Sequence, residues 1–175
     1  AHGARHLVLI DSISPRRAPT AGRPSEAEQM DKAEWTGFAS RFRDIARMGT
    51  EEYGLTVSIH PHAAGFIDFE PEVERLLADI DPAILKICLD TGHSHYAGFD
   101  PVPFMARHME RIAYVHFKDL DPAVKADVVA KRTGFYDACG QGIFCCLVTS
   151  AIFSSAFSWS RVIPRTSKPC LWKRS

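Results

Sequence analysis

Three short apolar runs, each stopping in a cluster of carboxylates and imidazoles, constrain this chain more than any other feature. Residues 55–59 lead into His60-Pro61-His62, residues 87–89 into Asp90-Thr91-Gly92-His93, and residues 112–115 into His116-Phe117-Lys118-Asp119. Short apolar runs of this kind read as strands of a parallel sheet covered on both faces. When successive parallel strands end in polar side chains, those ends share one rim. In a barrel of such strands, the rim carries the chemistry.

The segments between the runs read as helices. Over residues 31–53, Trp35, Phe38, Phe42, Ile45 and Met48 recur at helical spacing, and Gly54 supplies a stop. A second helix opens at Glu70-Pro71-Glu72 and buries Val73, Leu76, Leu77 and Ile80. Residues 101–109 and 122–131 predict two more, and residues 6–10, ending at Asp11, a further strand. Residues 12–25, with three prolines, read as a loop. The order is strand then helix, four times over, which predicts an α/β chain of about four βα units. A closed barrel of eight takes about 250 residues, so the expectation is a partial (β/α)8 barrel over residues 1–147.

Residues 148–175 break the pattern. They are rich in Ser, Phe, Trp, Arg and Cys, and no acidic residue follows Asp137. An irregular tail translated out of frame is expected there. The start, Ala1-His2-Gly3, has no initiating Met and no apolar signal core. It is expected to lie inside a longer reading frame.

Bulk properties narrow the partners. Lys plus Arg number 21 and Asp plus Glu 21, so net charge is zero. Setting aside Arg161, Arg165, Lys168, Lys173 and Arg174 of the tail leaves 16 basic residues, a mildly acidic body. Neither a nucleic-acid face nor a membrane surface is expected of it. The five cysteines show no metal-finger spacing, and an odd count without a secretion signal predicts reduced thiols in a cytoplasmic protein.

Asp90 and His116, at consecutive strand ends, project into one mouth. A carboxylate oxygen with an imidazole nitrogen suits Mn²⁺, Co²⁺, Zn²⁺ or Fe²⁺, and such an ion can polarise a carbonyl and stabilise an enolate. Asp68 is placed to add a carboxylate, although it reads equally as an acid opening the next helix. His93 and Lys118 suit substrate contact or proton transfer; Lys118 beside Asp119 also reads as a solvated ion pair. His95 and Tyr96 read as loop packing, His2, His6 and His108 as incidental, and Cys88 as inert core.

The ordered set His60-Pro61-His62-Ala63-Ala64-Gly65-Phe66-Ile67-Asp68, Ile87-Cys88-Leu89-Asp90-Thr91-Gly92-His93, Ala97-Gly98-Phe99-Asp100-Pro101 and Arg111-Ile112-Ala113-Tyr114-Val115-His116-Phe117-Lys118-Asp119 resembles the xylose isomerase-like TIM-barrel superfamily. Gly134-Phe135-Tyr136 and Gly142-Ile143-Phe144 complete the match, over roughly residues 4–147. Within it the inosose dehydratase branch is most similar. The resemblance implies a divalent metal (Mn, Co, Mg or Zn) held by Glu, Asp, His and Glu on separate strands. Asp90 matches the Asp, His116 the His, and Asp68, shorter by one methylene, the first Glu. The last Glu belongs to a strand beyond Leu147, where this sequence has no acid. The resemblance also places His60, His62, His93 and Lys118 at the substrate, with His93 and Lys118 as catalytic groups. It implies a carbohydrate or cyclitol substrate, and a base that removes the proton α to a carbonyl. Epimerisation, isomerisation or dehydration can follow.

Two other readings compete. A DNA-repair nuclease of the endonuclease IV type shares the fold and an Asp-Thr-x-His loop, but needs a cationic DNA face that the acidic body lacks. Alternatively the chain is a catalytically inactive, truncated remnant. Four strands leave two open edges and an uncovered apolar face, and these predict self-association.

Overall fold

The computed structural model describes residues 3–145. The expected tail, residues 148–175, lies outside them. Four strands, β1 (His6–Ile10), β2 (Thr56–His60), β3 (Lys86–Asp90) and β4 (Ile112–His116), form one parallel sheet in the order β1-β2-β3-β4. Helix α1 (Lys32–Glu51) joins β1 to β2, and α2 (Glu70–Asp79) joins β2 to β3. Between β3 and β4 run α3 (Thr91–Ala97) and α4 (Pro101–Arg107). A short strand, β5 (Asp119–Leu120), precedes α5 (Pro122–Ala130) and α6 (Phe135–Gly140), and pairs antiparallel with β6 (Phe144–Cys145).

The expected alternation is present, with additions. Helix α3 starts at the residue after β3, so His95 and Tyr96 belong to a helix rather than a loop. Seven residues are too few to show a helical apolar period, which hid it from the sequence. Tyr96 is fully buried. His108 is not incidental either: its Nε2 lies 2.7 Å from Glu74 Oε1.

Sequence chemistry explains the elements. Asp31 and Glu34 close a reciprocal cap on α1, Glu34 N–H donating to Asp31 Oδ1 at 2.8 Å and Asp31 N–H to Glu34 Oε2 at 3.0 Å. Gly49 lets α1 lie close on β2, since a Cβ there would stand 2.6 Å from Val57 Cγ2. Along the strands the faces alternate. Leu7, Leu9, Val57, Ile59, Ile87, Leu89 and Val115 pack with Trp35, Phe38, Val73, Leu76 and Phe104 of the helices in one core. Fully burying a side chain such as Ile59 or Leu89 stabilises by about 1.5–3 kcal/mol.

The opposite face carries the strand-end side chains of His60, Asp90 and His116. The sheet curls far enough for His6 of β1 to meet Tyr114 of β4, ring centroids 5.6 Å apart. Both outer strands are less buried than β2 and β3, and Ile10 is 52% exposed. Among the described residues β1 and β4 have no outer neighbour. No helix among them is long and apolar enough to cross a membrane.

A second cluster, including Ala63, Ala64, Tyr96, Leu120, Phe135 and Ile143, packs at the carboxyl ends of the strands. It fixes the loop after β2 against α3 and the β5–β6 ribbon. This loop is tied at several further points. Phe66 N–H donates to Asp11 Oδ2 at 2.6 Å, and Ser14 N–H to Ala64 O at 2.9 Å. Beneath it the buried Arg17 makes a two-pronged pair with Glu72, at 2.7 and 3.1 Å. Such forked geometry suits a guanidinium facing a carboxylate.

Candidate metal centre

The carboxyl end of β3 places Asp90 at the middle of the rim. Its two oxygens do different things. Oδ1 accepts the His93 N–H at 2.9 Å, capping α3. Oδ2 is buried and makes no hydrogen bond of normal geometry. Three basic side chains converge on that oxygen: His60 Nε2 at 3.7 Å, His116 Nδ1 at 3.6 Å and Lys118 Nζ at 3.2 Å.

Asp90 and His116 are level because β4 carries an extra residue. Ile87 pairs with Ile112, but Cys88 pairs with Tyr114, leaving Ala113 without a partner in β3. In uninterrupted register Asp90 would stand opposite Val115, and His116 would point to the other face.

His60, Asp90 and His116 each offer one ligand atom, and these atoms all lie within 4.8 Å of one another. Metal–ligand bonds of about 2.0–2.2 Å put neighbouring ligand atoms of a tetrahedral ion about 3.4 Å apart, close to the 3.7 and 3.6 Å from Asp90 Oδ2 to the two imidazole nitrogens. His60 Nδ1 lies 2.7 Å from the Pro61 carbonyl, which can only accept. The proton is therefore on Nδ1, and the Nε2 lone pair faces Asp90. This is how a backbone carbonyl orients a ligating histidine. Burial pushes the His60 imidazolium down to about 4, so the ring is neutral near pH 7. Two imidazoles and one carboxylate, with an orphaned buried oxygen between them, fit a divalent transition metal.

The expected site residues divide into two groups. Asp90, His116, His60, His62, His93 and Lys118 are brought together. Rings of His60 and His116 lie 4.8 Å apart, His60 and His93 5.4 Å, and His62 and His93 4.0 Å. Lys118 pairs with Asp90 rather than forming a solvated pair with its neighbour Asp119, which is buried. Asp68 stands apart from the gathered donors. It is buried in the loop after β2, where Oδ2 accepts the Ala64 N–H at 3.0 Å. Burial pushes its carboxyl up to about 8. His60, read from sequence as a substrate contact, is the third candidate donor. Its place as the last residue of β2, matching Asp90 and His116 on theirs, was the available signal.

The two remaining histidines differ in tautomer. His93 Nδ1 accepts the Ala63 N–H at 3.2 Å, so its proton is on Nε2, and burial keeps the ring neutral. His62 Nδ1 lies 2.8 Å from the Ala63 carbonyl, so its proton is on Nδ1 and Nε2 holds the lone pair. One ring offers a donor and the other an acceptor. Burial lowers the affinity of His62 for a second proton as well.

Comparison with known proteins agrees with this architecture. The family described as xylose isomerase-like TIM barrel matches residues 1–154. The rhizopine catabolism protein MocC of Rhizobium meliloti is 35% identical over 151 residues, covering 81% of this chain and 43% of MocC. An inosose dehydratase of Geobacillus kaustophilus (strain HTA426) is 32% identical over 130 residues, covering 74% of this chain and 41% of that enzyme. Among solved structures, the probable 3-DHS dehydratase AsbF from Bacillus anthracis superposes with a TM-score of 0.57 at 22% identity, covering 71% of this chain and 41% of AsbF. The IOLI protein with a bound zinc atom gives 0.52 at 13% identity, covering 68% and 39%. The chain thus spans about two fifths of the length of these relatives.

Proposed function

Because the chain belongs to the xylose isomerase-like TIM barrel family, we propose that its rim is the metal-binding part of a carbohydrate or cyclitol active site. The reaction is proton removal next to a carbonyl, of the isomerase, epimerase or inosose dehydratase type. The observation that carries this reading is the convergence of His60, His116 and Lys118 on the orphaned Oδ2 of Asp90.

His60, Asp90 and His116 are the residues that would hold a divalent ion such as Mn²⁺, Co²⁺ or Zn²⁺; Asp68 supports the loop from a distance. When bound, the ion polarises a substrate carbonyl and makes the adjacent C–H more acidic. His62, with its lone pair on Nε2, is suited to accept that proton. His93, donating through Nε2–H, is suited to orient a substrate hydroxyl. Lys118 supplies positive charge beside the site. In a dehydration the α-proton leaves to the base, the C–H electron pair becomes the new C=C bond, and the β-hydroxyl departs as water after protonation.

Two features of the relatives support the substrate class. One is named for rhizopine catabolism and another is an inosose dehydratase. The zinc in the IOLI structure supports the metal. The test uses the 175-residue chain with Co²⁺ or Mn²⁺ and 2-keto-myo-inositol in D₂O. Metal-dependent deuterium uptake at the carbon next to the carbonyl, lost in Asp90→Asn, is the expected result; new ultraviolet absorbance of a conjugated ketone would identify dehydration. Metal binding without deuterium uptake would show that these residues do not carry the proposed proton removal.

A further inference from the structure

We propose that Lys118 is a resident counter-cation for Asp90, one that a divalent metal must displace, and that Gly92 holds it in place. The proposal rests on the metal reading of His60, Asp90 and His116. Asp90 Oδ2 is inaccessible to solvent and lacks a hydrogen bond of normal geometry, so the charged carboxylate depends on a nearby cation. Lys118 Nζ, 3.2 Å away, is nearer to it than either histidine. A metal ligated by the same oxygen would put two like charges in contact. Both cations cannot occupy that place.

The Asp90-Thr91-Gly92-His93 turn is built around this lysine. Thr91 Oγ1 accepts the Lys118 N–H at 3.0 Å and donates to the Lys118 carbonyl at 2.6 Å, clamping its backbone. The lysine stem then passes over Gly92. A Cβ at Gly92 would stand 2.8 Å from Lys118 Cγ and 3.0 Å from both Cβ and Cδ. Gly92 has an ordinary negative φ, so its requirement is for space alone. The ammonium also lies 4.8 Å from the Phe144 ring centroid, a cation–π contact. About a third of the lysine side chain is exposed, which leaves a way out toward solvent and toward bound substrate.

Displacement has a functional consequence. The ammonium released from Asp90 stays tethered at the rim, where it can meet a substrate oxygen only after the metal has arrived. Loading with metal and readying the substrate contact become one event.

The experiment measures Co²⁺ affinity by its visible absorbance in the wild-type chain and in the Lys118→Met, Gly92→Ala and Asp90→Asn variants. Removing the competing charge is expected to tighten Co²⁺ binding about tenfold or more in Lys118→Met. Gly92→Ala, which keeps the lysine but crowds its stem, is expected to tighten it by a smaller factor. A wild-type measurement needs no variant to fold: amine labelling of Lys118, read by mass spectrometry, should rise when Co²⁺ is added. Unchanged or weaker Co²⁺ binding in Lys118→Met, with Asp90→Asn abolishing binding, overturns the counter-cation role and leaves the metal site standing. Labelling of Lys118 that is indifferent to bound Co²⁺ does the same. No Co²⁺ binding, or binding indifferent to Asp90→Asn, overturns the metal reading and the displacement with it.

Discussion

Asp90 and His116 stand side by side on adjacent strands, beyond Ala113, an unpaired extra residue in β4. The bulge advances β4 by one position, and with a side-chain period of two the register decides which face His116 occupies. Deleting Ala113 removes the bulge but leaves Tyr114, Val115 and His116 opposite Cys88, Leu89 and Asp90, so Co²⁺ binding should be retained. One alanine inserted between Val115 and His116 should instead turn His116 to the other face and abolish binding. Equal Co²⁺ affinity in the insertion variant and the parent would show that the register does not build the site.

The donor set can be tested one residue at a time. Asp90→Asn, His60→Gln and His116→Gln should each weaken Co²⁺ binding by more than about 100-fold, since even supporting residues behind a ligand matter by 10–100-fold. Asp68→Asn should change it little, because that carboxylate is engaged with Ala64 rather than gathered with the donors. Isothermal titration decides it. A large loss in Asp68→Asn would restore that residue to the donor set.

Asp68 should make stability fall as pH rises. Burial lifts its folded pKa from 3.8 to about 8, so between those values the unfolded chain has lost a proton that the folded chain keeps. Its favourable contribution is complete below about pH 4, declines steadily, and is gone above pH 8. Asp68→Asn should consequently gain stability over the parent at pH 8, on the order of a few kcal/mol, and little at pH 4. Urea melts at the two pH values supply the comparison.

The buried histidines act in the opposite direction. Burial lowers the pKa of His60 to about 4 and lowers those of His62 and His93 too, so each binds a second proton more weakly in the fold than in the unfolded chain, which protonates below about 6.5. Stability from these rings is present above 6.5 and is lost as pH falls toward 4. His93→Gln should flatten that acid limb. An unchanged slope between pH 6.5 and 4.5 would count against its burial as a neutral ring.

Open edges should make the chain self-associate. Ile10 and Tyr114 are 52% and 44% exposed on strands without an outer neighbour among the described residues. Light scattering of the 175-residue chain should show concentration-dependent association, reduced by Ile10→Lys or Tyr114→Lys. A concentration-independent monomer in the parent would refute this.

Much of the layout was legible because it depends on local pattern. Trp35, Phe38 and Phe42 of the apolar stripe read over residues 31–53 face the core, whereas Ile45 and Met48 of the same stripe are exposed, and the apolar runs before His60, Asp90 and His116 mark three strands. Helix α3 was not legible, since its first turn is also the turn of the candidate site: Asp90 caps the helix with one oxygen and faces the rim with the other. The buried Arg17–Glu72 pair was equally hidden, joining residues 55 positions apart.

The sequence by itself determined the residue types at the rim, because apolar runs and polar ends follow from burial on a parallel sheet. It could not assign their partners. That His60 joins Asp90 and His116, that Asp68 does not, and that Lys118 leans on Asp90 through the gap at Gly92 were decided by strand register and side-chain packing. One unpaired alanine shifts that register, and nothing in the local composition of residues 112–116 announces it.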